Sequence, residues 1–537
     1  MARKDIIRNL QQDTPFDLLV IGGGATGSGI ALDAASRGIR TALIEKYDFS
    51  EGTSSRSTKL VHGGVRYLEM AIKRLDRTQY NLVKDGLYER GVLLKNAPHL
   101  AGRLPLVTPL YSWMEVPYIF AGLKLYDILA GKMGIGRSRI VSRKEALERF
   151  PMLKAEGLKA GVLYYDGQFN DARMAVTLIT TALRQGAVTA NHVEAISLLK
   201  EKGRIAGAVV RDNISKQEFT VRARGVINAT GPFADSIRRM DEPEAAPILK
   251  ASSGIHIVLD KRFAPPATGL MIPKTEDGRV LFILPWQGHA LIGTTDEPAD
   301  IVDHPRPKDE EVAYLLRHVR QYFNLEIGPQ DIKSTWSGLR PLLDDPQAVD
   351  TARLARDHII QVSKSGLLTM AGGKWTTYRK MAQDAVDHAV KTFALAPEKN
   401  CHTDHLPLIG ASGFEEKGDL KLSSDFALDA DIASHLHRAY GSEALKVAEL
   451  AQKGLGKRLH PEHPVIEAEV VYVSRHEQAE RVSDVLVRRT TLALLDKEAA
   501  RNAVERTVEL MAEELGWDEA RCRDERKLCI QLLETAI

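Results

Sequence analysis

Apolar positions near the start of the chain come in runs. Phe16-Asp-Leu-Leu-Val-Ile21 is too short for a helix and suits a strand buried on both faces. Gly22-Gly-Gly24-Ala-Thr-Gly27 follows at once, and a segment rich in small residues from about Thr26 to Arg37 predicts a helix that stops at Gly38. A second apolar strand, Thr41 to Ile44, ends in Glu45, which completes a β-loop-α-β unit. Much later, Gly225 to Ile227 predicts a strand that runs into Ala229-Thr-Gly231. The pattern then changes. Gly254-Ile-His-Ile-Val-Leu259 and Val280-Leu-Phe-Ile-Leu284 read as strands of a separate sheet. From about Cys401 helical patterns dominate, with Pro407, Pro461 and Pro464 in linkers, and no fixed-period repeat is present. No apolar run reaches the about 18 residues of a membrane span. The nearest, Val116 to Leu123, stops at Lys124.

Composition narrows the class. The 537 residues predict three or four structural units at about 150 residues each. With 44% hydrophobic and 27% charged residues, the chain is an ordinary globular protein, which excludes disordered and collagen-like classes. The 73 Lys and Arg against 71 Asp and Glu leave a formal charge of +2, so no global field draws nucleic acid and any basic site is local. Cys401, Cys522 and Cys529 form no disulfide framework and lack zinc-ligand spacing, which fits a reducing compartment. The opening Met-Ala-Arg-Lys-Asp-Ile-Ile-Arg has no cleavage-type segment and argues against secretion.

The first unit carries the clearest chemistry. Gly22 permits the tight turn, Gly24 lets backbone N–H groups approach a pyrophosphate, and Gly27 lets helix and strand pack closely. The helix N-terminus adds the positive end of a dipole, and Glu45 is placed to accept hydrogen bonds from a ribose diol. These features predict a dinucleotide site. By themselves they leave FAD and NAD open.

The segment Thr53-Ser-Ser-Arg-Ser-Thr-Lys-Leu-Val-His-Gly-Gly-Val-Arg-Tyr-Leu-Glu69 resembles the FAD-dependent, quinone-linked glycerol-3-phosphate dehydrogenases. Four further blocks agree in order: Ile227-Asn-Ala-Thr-Gly-Pro232, Ile292-Gly-Thr-Thr-Asp296, Ser337-Gly-Leu-Arg-Pro-Leu342 and Gly372-Gly-Lys-Trp-Thr-Thr-Tyr-Arg379. Asp484-Val-Leu-Val-Arg-Arg-Thr490 is similar to the family's helical tail. The resemblance spans about residues 15 to 520.

It implies an α/β fold: a Rossmann-like FAD domain built from discontinuous segments (15–75, 150–245 and 335–400), a mixed or antiparallel substrate cap (76–149 and 246–334) and a C-terminal helical domain (401–537). FAD is expected to be noncovalent, held by Gly22, Gly24, Gly27, Glu45, Thr53, Ser54, Ser55, Lys59, His62, Gly63, Gly231, Gly373, Thr376 and Thr377. The phosphate of glycerol 3-phosphate is a dianion that requires converging cations. Arg66, Tyr67, Thr294, Thr295, Arg340 and Lys374 are the expected substrate contacts, with Arg340 and Lys374 also catalytic. His256 is the expected base, since its ordinary pKa lies near neutrality.

No resident metal is expected; no Asp-x-Asp-x-Asp-Gly calcium loop is present. The expected product is dihydroxyacetone phosphate and the expected acceptor is membrane quinone, reached from the cytoplasmic face of a bacterial cell membrane. Trp113-Met-Glu-Val-Pro-Tyr-Ile-Phe120 is aromatic-rich, and Ile128 to Lys144 holds five Lys or Arg and no acid, a composition that suits an anionic surface. A core helix with a solvated basic loop is the plainer reading of the same residues. A homodimer is allowed. The alternatives are an oxygen-using glycerol-3-phosphate oxidase and, from another class, a nonenzymatic FAD-binding or RNA-associated protein.

Overall fold

The computed structural model describes residues 3–64, 68, 77–263, 265, 267–273, 275–276, 278–344 and 358–537. Strands Phe16–Ile21 and Thr41–Ile44, with helix Ala25–Ser36 between them, form the expected β-loop-α-β unit. The strands read as apolar runs because they lie inside an eight-stranded sheet. Its order is His358–Val362, Leu367–Gly372, Glu218–Asn228, Phe16–Ile21, Thr41–Ile44, Val188–Ala190. All but the first of these run parallel. Val193–Glu201 and Arg204–Asp212 extend Glu218–Asn228 as an antiparallel meander.

Helix Ala25–Ser36 packs between helices Asp171–Arg184 and Tyr378–Thr392, which explains its small residues. A Cβ on Gly29 would lie 2.9 Å from the Tyr378 ring.

The second sheet has ten strands. Leu249–Leu259 is its spine, paired antiparallel with His289–Gly293 on one side and Ile332–Leu343 on the other. The sheet continues through Leu281–Trp286, Gly269–Ile272, Ala101–Leu110 and Ala160–Phe169 to Leu60–Val61. Here the expected domain division differs from the fold. Ala160–Phe169 falls after the division at residue 150, yet it pairs along its length with Ala101–Leu110 in the second sheet. Leu60–Val61 and Ile332–Leu343 also join this sheet. Strand membership follows long-range pairing that local apolar pattern does not encode.

Beyond residue 401 the chain is helical, from Gly418–Phe426 to Glu519–Ala536. Its core is continuous with the second sheet: Trp286 and Trp336 share one apolar cluster with Leu494, Val508 and Leu533. Among the described residues no helix is long and apolar enough to cross a membrane.

Candidate active site

The parallel strands of the first sheet all end at one edge, where Ile21, Glu45, Ala229 and Gly372 border a cleft of about 390 Å³. Ligands of open α/β sheets bind at such carboxyl ends. Gly22 has φ +112°, and a Cβ there would lie 2.5 Å from the Ala229 carbonyl oxygen. A Cβ on Gly27 would lie 1.8 Å from the Gly22 carbonyl oxygen, so only glycine lets the helix start against the strand. Gly24 is the N-cap of the 12-residue helix, and Ser54 Oγ accepts from the Ala25 N–H (2.9 Å). Glu45 accepts from the N–H groups of Gly23 (2.6 Å) and Tyr47 (2.9 Å). Burial pushes its carboxyl above the usual range, and a carboxylate keeps further acceptor sites beyond those two. Thr53 borders the cleft and donates to the Leu339 carbonyl (2.6 Å). Gly231 and Gly373 border it at positive φ. This glycine-lined cradle at a helix N-terminus fits FAD, whose pyrophosphate needs backbone donors and no intervening Cβ.

The second sheet reaches the cleft at Arg340, Pro341 and Leu342 of strand Ile332–Leu343, and one face of that strand carries Arg340. Three cross-strand pairs lie in register there: Ser252 with Arg340, Gly254 with Gly338, and His256 with Trp336. Arg340 borders the cleft. Its Nη1 donates to the Ser253 carbonyl (3.1 Å) and Asp296 (3.1 Å), and its Nη2 donates to Thr294 Oγ1 (2.9 Å) and the Thr295 carbonyl (2.9 Å). The expected cation is therefore held in one orientation by the 294–296 segment. Gly254 makes room for it, since a Cβ there would lie 2.2 Å from Arg340 Nη2. Thr295 is buried; its hydroxyl donates to Glu311 (2.5 Å) and accepts from the Ile255 N–H. Lys374 stands on the cleft wall beside Gly373.

His256 is only 2% exposed and is not part of the cleft wall. Its Nε2 lies 2.9 Å from Thr58 Oγ1 and its ring stacks on Trp336, while Nδ1 has no hydrogen-bond partner among the described residues. Burial, reinforced by the charges of Lys59 and Arg340, holds this imidazole well below its ordinary pKa and therefore neutral.

Other expected residues lie away from the cleft. Lys59 is fully buried, and its ammonium donates to Asp171 (2.6 Å) and the Ser55 carbonyl (2.7 Å) beneath Trp286 and Trp336. Burial pushes Lys59 down against the pull of Asp171. Ser55 is buried. Thr376 Oγ1 accepts from the His62 N–H (3.2 Å), Thr377 Oγ1 donates to the Lys374 carbonyl (3.3 Å), and the Gly63 N–H donates to Tyr126 Oη (2.7 Å). Only the first of these joins the serine-rich segment to the 373–377 block, and His62, Gly63, Thr376 and Thr377 do not border the cleft. Arg66 and Tyr67 lie outside the described residues.

Three participants were missed from sequence. Asp296, the acid partner of Arg340, closes the Ile292–Asp296 block and was within reach of a charge-pairing argument. Trp336, the stacking partner of His256, and Asp171, the counter-ion of Lys59, left no local signal.

Comparison with known proteins now places the chain. A family model described as FAD dependent oxidoreductase matches residues 17–379, and one described as the C-terminal domain of alpha-glycerophosphate oxidase matches residues 401–522. The chain is 49% identical to a probable mitochondrial glycerol-3-phosphate dehydrogenase of Caenorhabditis elegans, over 97% of this chain and 74% of that one. It is 47% identical to the human mitochondrial glycerol-3-phosphate dehydrogenase, over 98% and 74%. Among solved structures, the glycerol-3-phosphate dehydrogenase of Bacillus halodurans complexed with FAD matches with a TM-score of 0.81 and 31% identity, covering 99% of this chain and 97% of that one. The glycerophosphate oxidase of Mycoplasma pneumoniae shares the fold at 15% identity, with a TM-score of 0.56 over 73% of this chain and 98% of that one. With a glycine cradle on one sheet, a fixed arginine on the other and identity near one half along its length, the chain belongs to the FAD-dependent glycerol-3-phosphate dehydrogenases.

Proposed function

We propose that the chain oxidises sn-glycerol 3-phosphate to dihydroxyacetone phosphate and passes the electrons to membrane quinone from a peripheral position on the cytoplasmic face of the cell membrane. The observation that carries this reading is the 46–49% identity to named dehydrogenases across almost the whole chain, against 15% to the oxidase. FAD, when bound, supplies the hydride acceptor. The chain's own residues supply position and proton transfer. Arg340 presents a guanidinium whose direction is fixed by Thr294, Thr295 and Asp296, and Lys374 adds a second cation on the cleft wall. Both suit a phosphorylated alcohol, because charge-assisted hydrogen bonds are worth about 1.5–3 kcal/mol each. His256, neutral and with an Nδ1 that has no partner among the described residues, has the protonation state of a base for the hydroxyl proton.

The membrane part of the proposal rests on one surface. Trp113, Met114, Tyr118 and Ile128 are exposed on and beside helix Glu115–Ala130. Basic residues follow, although Arg139 pairs with Glu145 and Lys144 with Glu148, which reduces the local field.

Anaerobic addition of glycerol 3-phosphate is expected to bleach the flavin, with reoxidation by a quinone analogue and little peroxide in air. Peroxide formed in step with substrate would make the protein an oxidase. A flavin that stays oxidised would remove the substrate assignment.

A further inference from the structure

The Asp484-Val-Leu-Val-Arg-Arg-Thr490 block has no part in the chemistry above, yet every residue of it is buried. It lies behind loop 46–54, most of which forms one wall of the cofactor cleft. Two residues of that loop face away from the cleft. Phe49 enters the apolar core under the glycine turn, and Asp48 points into the helical domain.

Arg489 grips Asp48 with both arms of its guanidinium: Nη1 donates to Oδ2 (2.5 Å) and Nη2 to Oδ1 (2.9 Å). Arg488 Nε donates to the same Oδ2 (2.5 Å). The Nη2 of Arg488 reaches Asp484 (3.0 Å) and Glu51 (3.3 Å), and Glu51 stands on the cleft wall. At its far side the loop is tied to the dinucleotide turn, where the Ser50 N–H donates to the Gly23 carbonyl (3.0 Å). An unbroken set of contacts thus runs from the helical domain to the glycines that cradle the cofactor.

Asp48, His192 and Asp484 also have the donor set of a cation site, with ligand atoms within 4.8 Å of one another. Two guanidinia already supply the positive charge to these oxygens, so a metal has no vacancy to fill. Burial opposes ionisation of Asp48, and Arg489 overrides it, holding the carboxyl below its usual range.

Burying such ions carries a desolvation cost, and packed apolar residues would join the two domains at least as firmly. A bidentate fork adds direction that apolar contact lacks. We propose that Arg488 and Arg489 are positioning residues for FAD: by fixing Asp48 and Glu51 they shape loop 46–54 against the glycine turn, so the helical domain sets cofactor affinity. The proposal rests on FAD in the cleft and is independent of the electron acceptor.

The test is the FAD dissociation constant of the full chain, read from flavin fluorescence released on dilution of the holoenzyme. Asp48→Asn with Arg489→Met removes one charge of each sign. It is expected to raise the constant about tenfold or more, with kcat at saturating FAD close to the parent. Arg489→Lys keeps the charge and loses the fork, and a rise of about three- to fivefold is expected. Glu469→Gln is the control. It disturbs a buried pair with His435 and Tyr440 elsewhere in the helical domain, so it should lower the melting temperature and leave FAD affinity unchanged. A double variant that binds FAD within about twofold of the parent overturns the proposal. If that variant does not fold, the same result for Arg489→Lys overturns it. An equal loss of FAD affinity in Glu469→Gln also overturns it, because general destabilisation would then suffice.

Discussion

The two sheets meet the same cleft in different ways. The first offers backbone: a turn that admits no Cβ at Gly22 or Gly27, a helix N-terminus, and Gly231 and Gly373 at positive φ. The second offers side chains, Arg340 at the cleft and His256 behind it, on one face of two long paired strands. A backbone site is specified by what must be absent, and it recognises a group common to many dinucleotides. A side-chain site is specified by partners, and its chemistry depends on Asp296 and Trp336 as much as on the arginine and histidine themselves. The cofactor end is therefore generic to the fold, and the end proposed for substrate is particular to this chain.

Substitutions can separate the two halves. The largest effect is expected from Gly27→Val, which places carbon within 1.8 Å of the Gly22 carbonyl oxygen. The purified protein should contain almost no flavin by its absorbance ratio, and full flavin content would sink the backbone account. Arg340→Met should act on the other half alone. Its four Nη hydrogens are spent on Ser253 and the 294–296 segment, so at most one charge-assisted hydrogen bond to substrate is lost, which corresponds to roughly 10- to 10²-fold in kcat/KM for glycerol 3-phosphate, with flavin content unchanged. A variant that loses flavin as well would show that the two sheets do not divide the labour.

The smallest effect is a displacement along the pH axis. Because burial, Lys59 and Arg340 depress the pKa of His256, the base proposed there stays unprotonated to lower pH. The acid limb of kcat/KM, which reports the free enzyme, should lie below the ordinary imidazole value of about 6.5. In Arg340→Met one depressing charge is gone, so the limb should move upward. A limb at the ordinary value in the parent, unmoved in the variant, would remove His256 from the role of base.

This contrast also explains what the sequence disclosed. The glycine turn was legible because a tight strand-to-helix crossing demands glycine at fixed spacing, whatever lies elsewhere. The second sheet was legible only as alternating strands. Lys59 illustrates the limit: the resemblance places it among the residues that hold FAD, yet its partner Asp171 lies 112 residues away and draws it into the interior. Strand Ala160–Phe169 escaped the expected domain division for the same reason, since its partner Ala101–Leu110 sits across a long excursion of chain. Arg340 is legible through its block, while Asp296, the acid that orients it, stands in another block and shows its role only when the strands pair.

The apolar cluster that joins Trp286 and Trp336 to Leu494, Val508 and Leu533 predicts that the second sheet and the helical domain unfold as a single cooperative unit. Sequence divides the chain into three domains, but heat should divide it into at most two. The helical domain should not melt ahead of the sheet that carries His256 and Arg340. Damage to its core is then felt as lost catalysis, far from any residue that touches substrate.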